Sequence, residues 1–227
     1  MSNHYYTLIA GLPHLPKRFD DSPRPPISRP RLEGWLANQL KPEDAEVAND
    51  MIAYLRWARH TQDETVEEVR DFCEGLLEKT SSRVLQEIVS FVMDMRTILV
   101  ALRMRNKKMP APVPGEEWGV GRLVERLRQN WNVPDFRLGR DYPWVGEFSS
   151  LLADGNTLAL EHRINDVMWD FLRHIGEGHY FTFEAVLVYL GRWDIVDRWT
   201  SYNAQAAAEK HARLLMEAIG EQSALFA

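Results

Sequence analysis

The sequence is poor in cysteine and has no apolar stretch suited to crossing a bilayer. Cys73 is the only cysteine among 227 residues, which excludes an internal disulfide framework, and we expect it to be a small buried hydrophobe. The most apolar stretch, residues 88–104, contains Asp94 and Arg96, so we expect no transmembrane helix. Residues 1–16 lack the basic start and apolar run of a secretory signal. We expect a cytoplasmic protein in a reducing compartment.

The common signatures of catalysis are absent as well. The chain has no G-x-x-x-x-G-K-S/T loop, no G-x-S-x-G elbow, no H-E-x-x-H pair and no E-x-x-H pair. These absences argue against phosphate-loop enzymes, α/β-hydrolases, zinc proteases and di-iron bundles. Gly119-x-Gly121 is an incomplete dinucleotide fingerprint, because Val124 occupies the third glycine position and no strand precedes it. We therefore expect no enzyme, no catalytic residue and no cofactor.

One pattern of the metal-ligand type occurs near residue 170. Asp170 and His174 are four residues apart on one predicted helix, with Asp166 one turn earlier, and this spacing brings two ligands together. The alternative is a surface hydrogen-bonded pair near a helix end, where a cationic histidine is favoured. Because the spacing supplies no third and fourth ligand, we expect no metal site. A metal-dependent enzyme centred on these residues is the weakest hypothesis.

Charge of both signs is present, but it is unevenly distributed. The net charge of −6 disfavours a nucleic-acid-binding protein, since such proteins carry broad basic faces. Residues 41–80 hold 11 acidic and 5 basic side chains, whereas residues 81–115 hold 2 acidic and 6 basic ones. This distribution predicts a polarised surface suited to a charged partner. The alternative is a solvated face that binds nothing.

The most informative segment is a helical pattern from Ser81 to Lys108. Apolar residues recur at steps of four and three on one helix face, namely Val84, Ile88, Phe91, Met95, Ile98 and Leu102. Asp94 and Arg96 lie within this stripe, and we expect them to form internal hydrogen-bonded pairs. The predicted partner-binding surface is the basic cluster that closes the segment: Arg103, Arg105, Lys107 and Lys108. Alternatively, these cations bind no partner and only interact favourably with the helix dipole at the C-terminus.

Helical patterns also dominate the rest of the chain. Residues 5–13 form a short β-prone or buried segment, and the six prolines from residue 13 to residue 30 predict an extended arm that wraps the surface. The proline-rich stretch 109–115 is a linker or loop. The predicted helices span residues 32–40, 42–59, 66–77, 81–108, 118–131, 144–153, 157–175, 183–199 and 204–219. We expect Pro42 to begin the second of them, Thr65 or Asp63 to cap the third, and Thr157 to cap the helix that ends at residue 175.

The predicted fold is all-α, a multi-helix bundle or two helical lobes with an extended proline-rich N-terminal arm. Residues 1–31 form the N-terminal segment and arm, residues 32–108 the first lobe, residues 109–117 a linker or loop, and residues 118–227 the second lobe. We expect most of the eight tryptophans to pack in the core. A ligand pocket or an interface is the alternative for them.

Three parts of the chain resemble proteins of rotary ATPases. Asp94-x-Arg96-x-x-Leu99-x-x-x-Arg103 resembles the D-x-x-N-L/I-K/R-x-I/L-I/L-R helix of the C subunit in archaeal and bacterial V/A-type ATPases (the d subunit in eukaryotes), without its asparagine. Residues 5–13 with residues 25–28 look like the start of a short, little-characterised bacterial family encoded beside V-type ATPase subunits. Residues 181–199 are similar to the closing helices of both families.

The resemblance implies a non-catalytic component of the central stalk. In those ATPases the C subunit sits on the membrane proteolipid ring and receives the foot of the rotor shaft, so the shaft and ring proteins are the implied partners. The resemblance also implies a peripheral position at the inner membrane face, no direct membrane span, and self-association in isolation through surfaces that partners otherwise cover. The C subunit itself is longer and has three similar helical lobes. The alternative function is a helical adaptor or assembly protein of another complex.

Overall fold

A computed structural model describes residues 4–57 and 65–202 of the chain. Within these ranges the chain forms nine helices, is 64% helical and contains no strand. The predicted all-α fold is confirmed. The helices are α1 Tyr6–Gly11, α2 Arg29–Gln39, α3 Pro42–Trp57, α4 Val66–Glu78, α5 Arg83–Asn106, α6 Val124–Gln129, α7 Val145–Ala153, α8 Thr157–Ile175 and α9 at residues 183–202. The predicted helix 204–219 lies outside the described residues.

Helix starts are set by local hydrogen bonds. At α4, Thr65 and Glu68 form a capping box: the Glu68 amide donates to Thr65 Oγ1 (3.2 Å) and the Thr65 amide to the Glu68 carboxylate (2.8 Å). At α8 the prediction of Thr157 as the cap is wrong. Asn156 takes that role, because its Oδ1 accepts a hydrogen bond from the Ala159 amide (3.2 Å).

Of the two alternatives predicted for residues 5–13, β structure is wrong and burial is confirmed, since Tyr5, Leu8 and Leu12 are buried. The Tyr5 amide donates to the Phe181 carbonyl (2.6 Å), and His4 makes an isolated antiparallel bridge with Thr182. The described residues supply no further strand to extend this bridge, so the chain coils immediately into α1. The helical turn buries Leu8 in the core.

Residues 118–131 form a much shorter helix than predicted, because the first part is held in an irregular conformation. Gly121 has φ of +90°, a conformation that favours glycine over other residues and interrupts a helix. Thr97 Oγ1 of α5 donates to the Val120 carbonyl (2.7 Å) and accepts from the Val120 amide (3.1 Å). The segment is therefore bonded to α5, and helix α6 starts only at Val124.

The buried residues form two hydrophobic clusters that share α5 and α8. One contains the arm, α1 to α4, α9, the start of α5 and the end of α8, whereas the other contains α7, residues 118–148, the end of α5 and the start of α8. Phe91 contacts both clusters and stacks on Phe171 with ring centroids 3.9 Å apart. Each cluster thus draws residues from both sides of segment 109–117. The division into lobes 32–108 and 118–227 stays a prediction.

Seven tryptophans lie in or against this core. The buried ones are Trp118, Trp131, Trp144, Trp169 and Trp193, and the half-buried ones are Trp35 and Trp199. The proline-rich arm crosses α8 and α9 and is held by two of them. Trp169 Nε1 donates to the Lys17 carbonyl (3.1 Å), and Trp193 Nε1 donates to the Ile27 carbonyl (3.0 Å). Phe19 of the arm is fully buried.

Candidate partner-binding surface

Helix α5 ends in a Schellman motif built from lysines. Lys107 is the C-cap, and the Lys108 amide donates to the Arg105 carbonyl (2.9 Å) while the Met109 amide donates to the Met104 carbonyl (3.0 Å). Lys108 takes a φ of +59°, a conformation that is usually left to glycine at this position. The motif turns the chain sharply and projects both lysines into solvent.

Arg105 points away from that solvent-exposed end. Its guanidinium donates to the carbonyls of Val133 (2.8 Å) and Pro134 (2.6 Å) and lies over the Phe136 ring, 4.2 Å from its centroid. A longer bond of 3.4 Å reaches Ser149 Oγ of α7. Burial lowers the pKa of Arg105. Arg105 therefore fastens residues 133–136 and α7 to α5, so it is placed apart from the other three predicted partner-binding residues.

The remaining three cations form an exposed cluster, named here the basic end: Arg103, Lys107 and Lys108. None of them has an ion pair within residues 4–57 and 65–202. A shallow open groove of about 500 Å³ lies beside them and is lined by Arg105, residues 108–111, Trp131 and Asn132. Cations here also complement the helix dipole, which contributes about 0.3–1 kcal/mol at an exposed position.

Asp94, midway along α5, is the centre of a buried polar cluster. Its carboxylate is 1% exposed and its Oδ2 accepts from Arg122 Nη2 (2.7 Å), Arg122 Nε (3.1 Å) and the Tyr142 hydroxyl (2.6 Å). The predicted internal pairing of Asp94 is thus confirmed. Burial, followed by the bond to Asp94, raises the pKa of Tyr142 to about 12. Sequence reasoning missed both partners, which lie 28 and 48 residues further along the chain.

Arg96 lies on the other side of α5, near α4. Burial raises the pKa of the Cys73 thiol, whereas the Tyr54 hydroxyl and the Arg96 charge act in the opposite direction. Cys73 is 2% exposed, as expected for a small buried hydrophobe. A thiol with a raised pKa holds little thiolate at neutral pH and is a poor nucleophile.

The three candidate metal ligands are not brought together. Asp166 accepts from Arg18 of the arm (3.2 Å), Asp170 pairs with Arg173 (3.6 Å), and the His174 side chain is 80% exposed. In the part of the chain that the structure describes, no group of three or more potential ligands is placed to hold a metal ion. Asp166 instead helps to fasten the arm to α8.

A patch of exposed aromatic side chains lies where the N-terminus meets the turn before α9. Tyr6 is 59%, Tyr180 73% and Phe181 40% exposed. The Tyr6 ring lies 5.0 Å from that of Phe181 and 5.5 Å from that of His4. Aromatic residues are enriched in protein–protein interfaces, so this patch is a second surface with the chemistry of a contact site.

One family model covers most of the chain. The family model described as "Protein of unknown function (DUF2764)" matches residues 51–222. The chain belongs to this family. No curated protein matches the chain, and no solved structure matches it. The matched range includes the Asp94 cluster, the basic end and the part of α9 that contacts the arm. Among the helices of residues 4–57 and 65–202, none is both long and apolar enough to cross a membrane.

Proposed function

We propose that the protein is a non-catalytic component of the central stalk of a bacterial V/A-type ATPase, similar in role to the C subunit. In this role it couples the rotor shaft to the membrane proteolipid ring, from a cytoplasmic position at the inner face of the membrane. The observation that carries the proposal is the construction of α5. This helix runs through both hydrophobic clusters and presents at one end three exposed cations that have no ion pair among the described residues.

A coupling protein has to transmit force without deforming, and the packing of α5 suits that requirement. Eleven residues of α5 are buried, so the helix is anchored along much of its length. Arg122 and Tyr142 fix its middle through Asp94, and Arg105 fixes its end to residues 133–136. A displacement applied at the basic end would therefore move both hydrophobic clusters together.

The basic end supplies the docking chemistry. Three exposed cations that have no ion pair within residues 4–57 and 65–202 favour an acidic protein surface. Charge complementarity steers association more than it adds affinity. The interaction should weaken as salt rises, because exposed charges are screened over about 8 Å at physiological ionic strength. We leave Arg105 out of this contact, because both of its terminal nitrogens are bonded to the carbonyls of Val133 and Pro134.

The test is affinity capture of the tagged protein from its gently solubilised native membranes. We expect the wild-type chain to recover shaft and proteolipid-ring proteins, and the variant R103E/K107E/K108E to recover several-fold less. The matched control is R24E/R31E/R83E, which changes the net charge equally at exposed arginines elsewhere. Capture without ATPase proteins, from membranes shown to contain the ATPase, would contradict the proposal.

The aromatic patch favours a second candidate, a helical adaptor or assembly protein of another complex. That candidate depends on the exposed rings of Tyr6, Tyr180 and Phe181 rather than on the tryptophans, which are mostly buried. The variant Y6S/F181S separates the two functions in the same capture experiment. An adaptor loses its main partner in this variant and keeps it in R103E/K107E/K108E, whereas a stalk protein that docks through the basic end shows the reverse.

A further inference from the structure

The groove beside the basic end has a stiff, apolar wall at residues 109–111. Met109 is 44% exposed, Pro110 and Ala111 are exposed as well, and Pro112 is buried directly after them. A proline ring fixes its own φ and restricts the residue before it, so the two prolines limit the backbone of this wall. A wall that is already ordered loses little conformational freedom when a partner binds, which lowers the entropic cost of binding.

Trp131 fastens this wall to the core. Trp131 is 6% exposed, and its Nε1 donates to the Met109 carbonyl (3.4 Å). Its ring makes an edge contact with the Trp118 ring, with centroids 6.0 Å apart. Arg105, which also lines the groove, is held by two carbonyls and by the Phe136 ring. The groove therefore has its shape before a partner binds.

The charge of the groove lining is positive. Among the described residues the lining has two cations, Arg105 and Lys108, and no carboxylate. Two acidic residues lie close to it in the chain, but both are bonded to backbone amides. Asp135 accepts from two amides of its own turn (3.0 and 3.1 Å), and Glu116 accepts from one amide of its own loop (2.9 Å). A groove of this kind favours an acidic ligand over a basic one.

We propose that the groove binds an acidic segment of the partner protein and seats an apolar side chain of that segment against Met109, Pro110 and Ala111. Carboxylates on either side of this side chain meet Lys108 and the rest of the basic end. The inference rests on the proposed function, because the groove adjoins the surface through which the protein is proposed to dock. It adds the chemistry of the segment that the partner presents there.

The two parts of the surface have different effects on binding. The cations attract the acidic segment and raise the rate of association, whereas an apolar side chain held in a groove slows dissociation. A volume of about 500 Å³ lies within the range of sites that enclose a ligand group. The thioether of Met109 is flexible and adapts to side chains of different shape.

The test is photo-crosslinking in cells that express the tagged full chain with the reporter Val113→p-benzoylphenylalanine. Val113 is 63% exposed and lies two residues after the wall, so the reporter leaves the groove open. We expect a crosslink to a partner protein, and mass spectrometry should place it in a segment that has carboxylates beside Leu, Ile, Met or Phe. Adding A111W fills the groove and should reduce the crosslink at least fivefold. The matched control A37W, at an exposed alanine of α2, should retain it.

Three results would overturn the groove proposal even if affinity capture recovers ATPase proteins. They are equal crosslinks in A111W and A37W, a crosslinked segment without carboxylates or without a large apolar side chain, and a wild-type groove that crosslinks to nothing or to a second copy of this chain. A segment of the expected chemistry in a protein outside the ATPase would instead contradict the stalk function and support the groove proposal. If A111W fails to fold, M109S decides, because removing this apolar side chain should reduce the crosslink several-fold.

Discussion

Asp94 and Arg122 form an ion pair of unequal burial: the carboxylate is 1% exposed, whereas the guanidinium 2.7 Å away is 67% exposed. The pair joins α5 to the irregular segment before α6. Together with the Thr97–Val120 hydrogen bonds, it holds residues 118–123 against α5, where Gly121 interrupts a helix. The bond to Asp94 raises the pKa of Arg122 above its usual value.

Removing Arg122 should destabilise the fold strongly. The variant R122A leaves the Asp94 carboxylate buried without its cation, and a broken buried pair costs about 3 kcal/mol. Denaturant unfolding followed by circular dichroism measures the loss. The matched control is R126A, whose partner Asp141 is exposed, so it should cost below about 1 kcal/mol. If R122A and R126A lose the same unfolding free energy, the Asp94–Arg122 pair stabilises the fold no more than an exposed ion pair does.

Alkaline pH should weaken the same cluster through Tyr142. Its pKa is about 12 in the folded state and about 10 in an unfolded chain, so the folded state retains a proton that the unfolded state loses. The stabilisation is complete below pH 10 and disappears as the pH rises to 12. Unfolding free energies across this range should therefore fall less steeply in Y142F than in the wild type. If the unfolding free energies of Y142F and the wild type fall equally steeply with pH, the raised pKa is not that of Tyr142.

Lys108 offers a test of the helix end. Replacing it with glycine removes the cost of a left-handed conformation at a residue with a Cβ, so K108G should raise the unfolding free energy by about 1 kcal/mol. The control K107G changes a residue whose φ is −78°, and it should give no gain, since glycine there only adds freedom to the unfolded chain. A stabilised K107G would refute this explanation.

Arg105 and Arg103 should separate stability from docking. R105A deprives two carbonyls of their donor and the Phe136 ring of its cation, and should lower the unfolding free energy by about 2 kcal/mol. R103A changes an exposed side chain and should stay within about 0.5 kcal/mol of the wild type, while reducing capture of the partner. A stable R105A would show that the end of α5 is held by other contacts.

Local patterns predicted the helices well where the interactions are local. The apolar stripe of α5, the cap at Thr65 and the proline start of α3 depend on residues within four positions of each other. The β alternative for residues 5–13 and the helix predicted over residues 118–123 failed, because a distant contact decides the backbone in both places. The Tyr5 amide bonds to the Phe181 carbonyl, and Val120 bonds to Thr97.

The candidate surface shows the same limit. The sequence identified four cations at the end of α5 but could not show that Arg105 turns inward, because its acceptors lie 28 and 29 residues away. Helix periodicity, the basic cluster and the arm were determined by neighbouring residues alone. The Asp94 cluster and the inward bonding of Arg105 were decided by tertiary packing, since each depends on which distant segment burial brings alongside it.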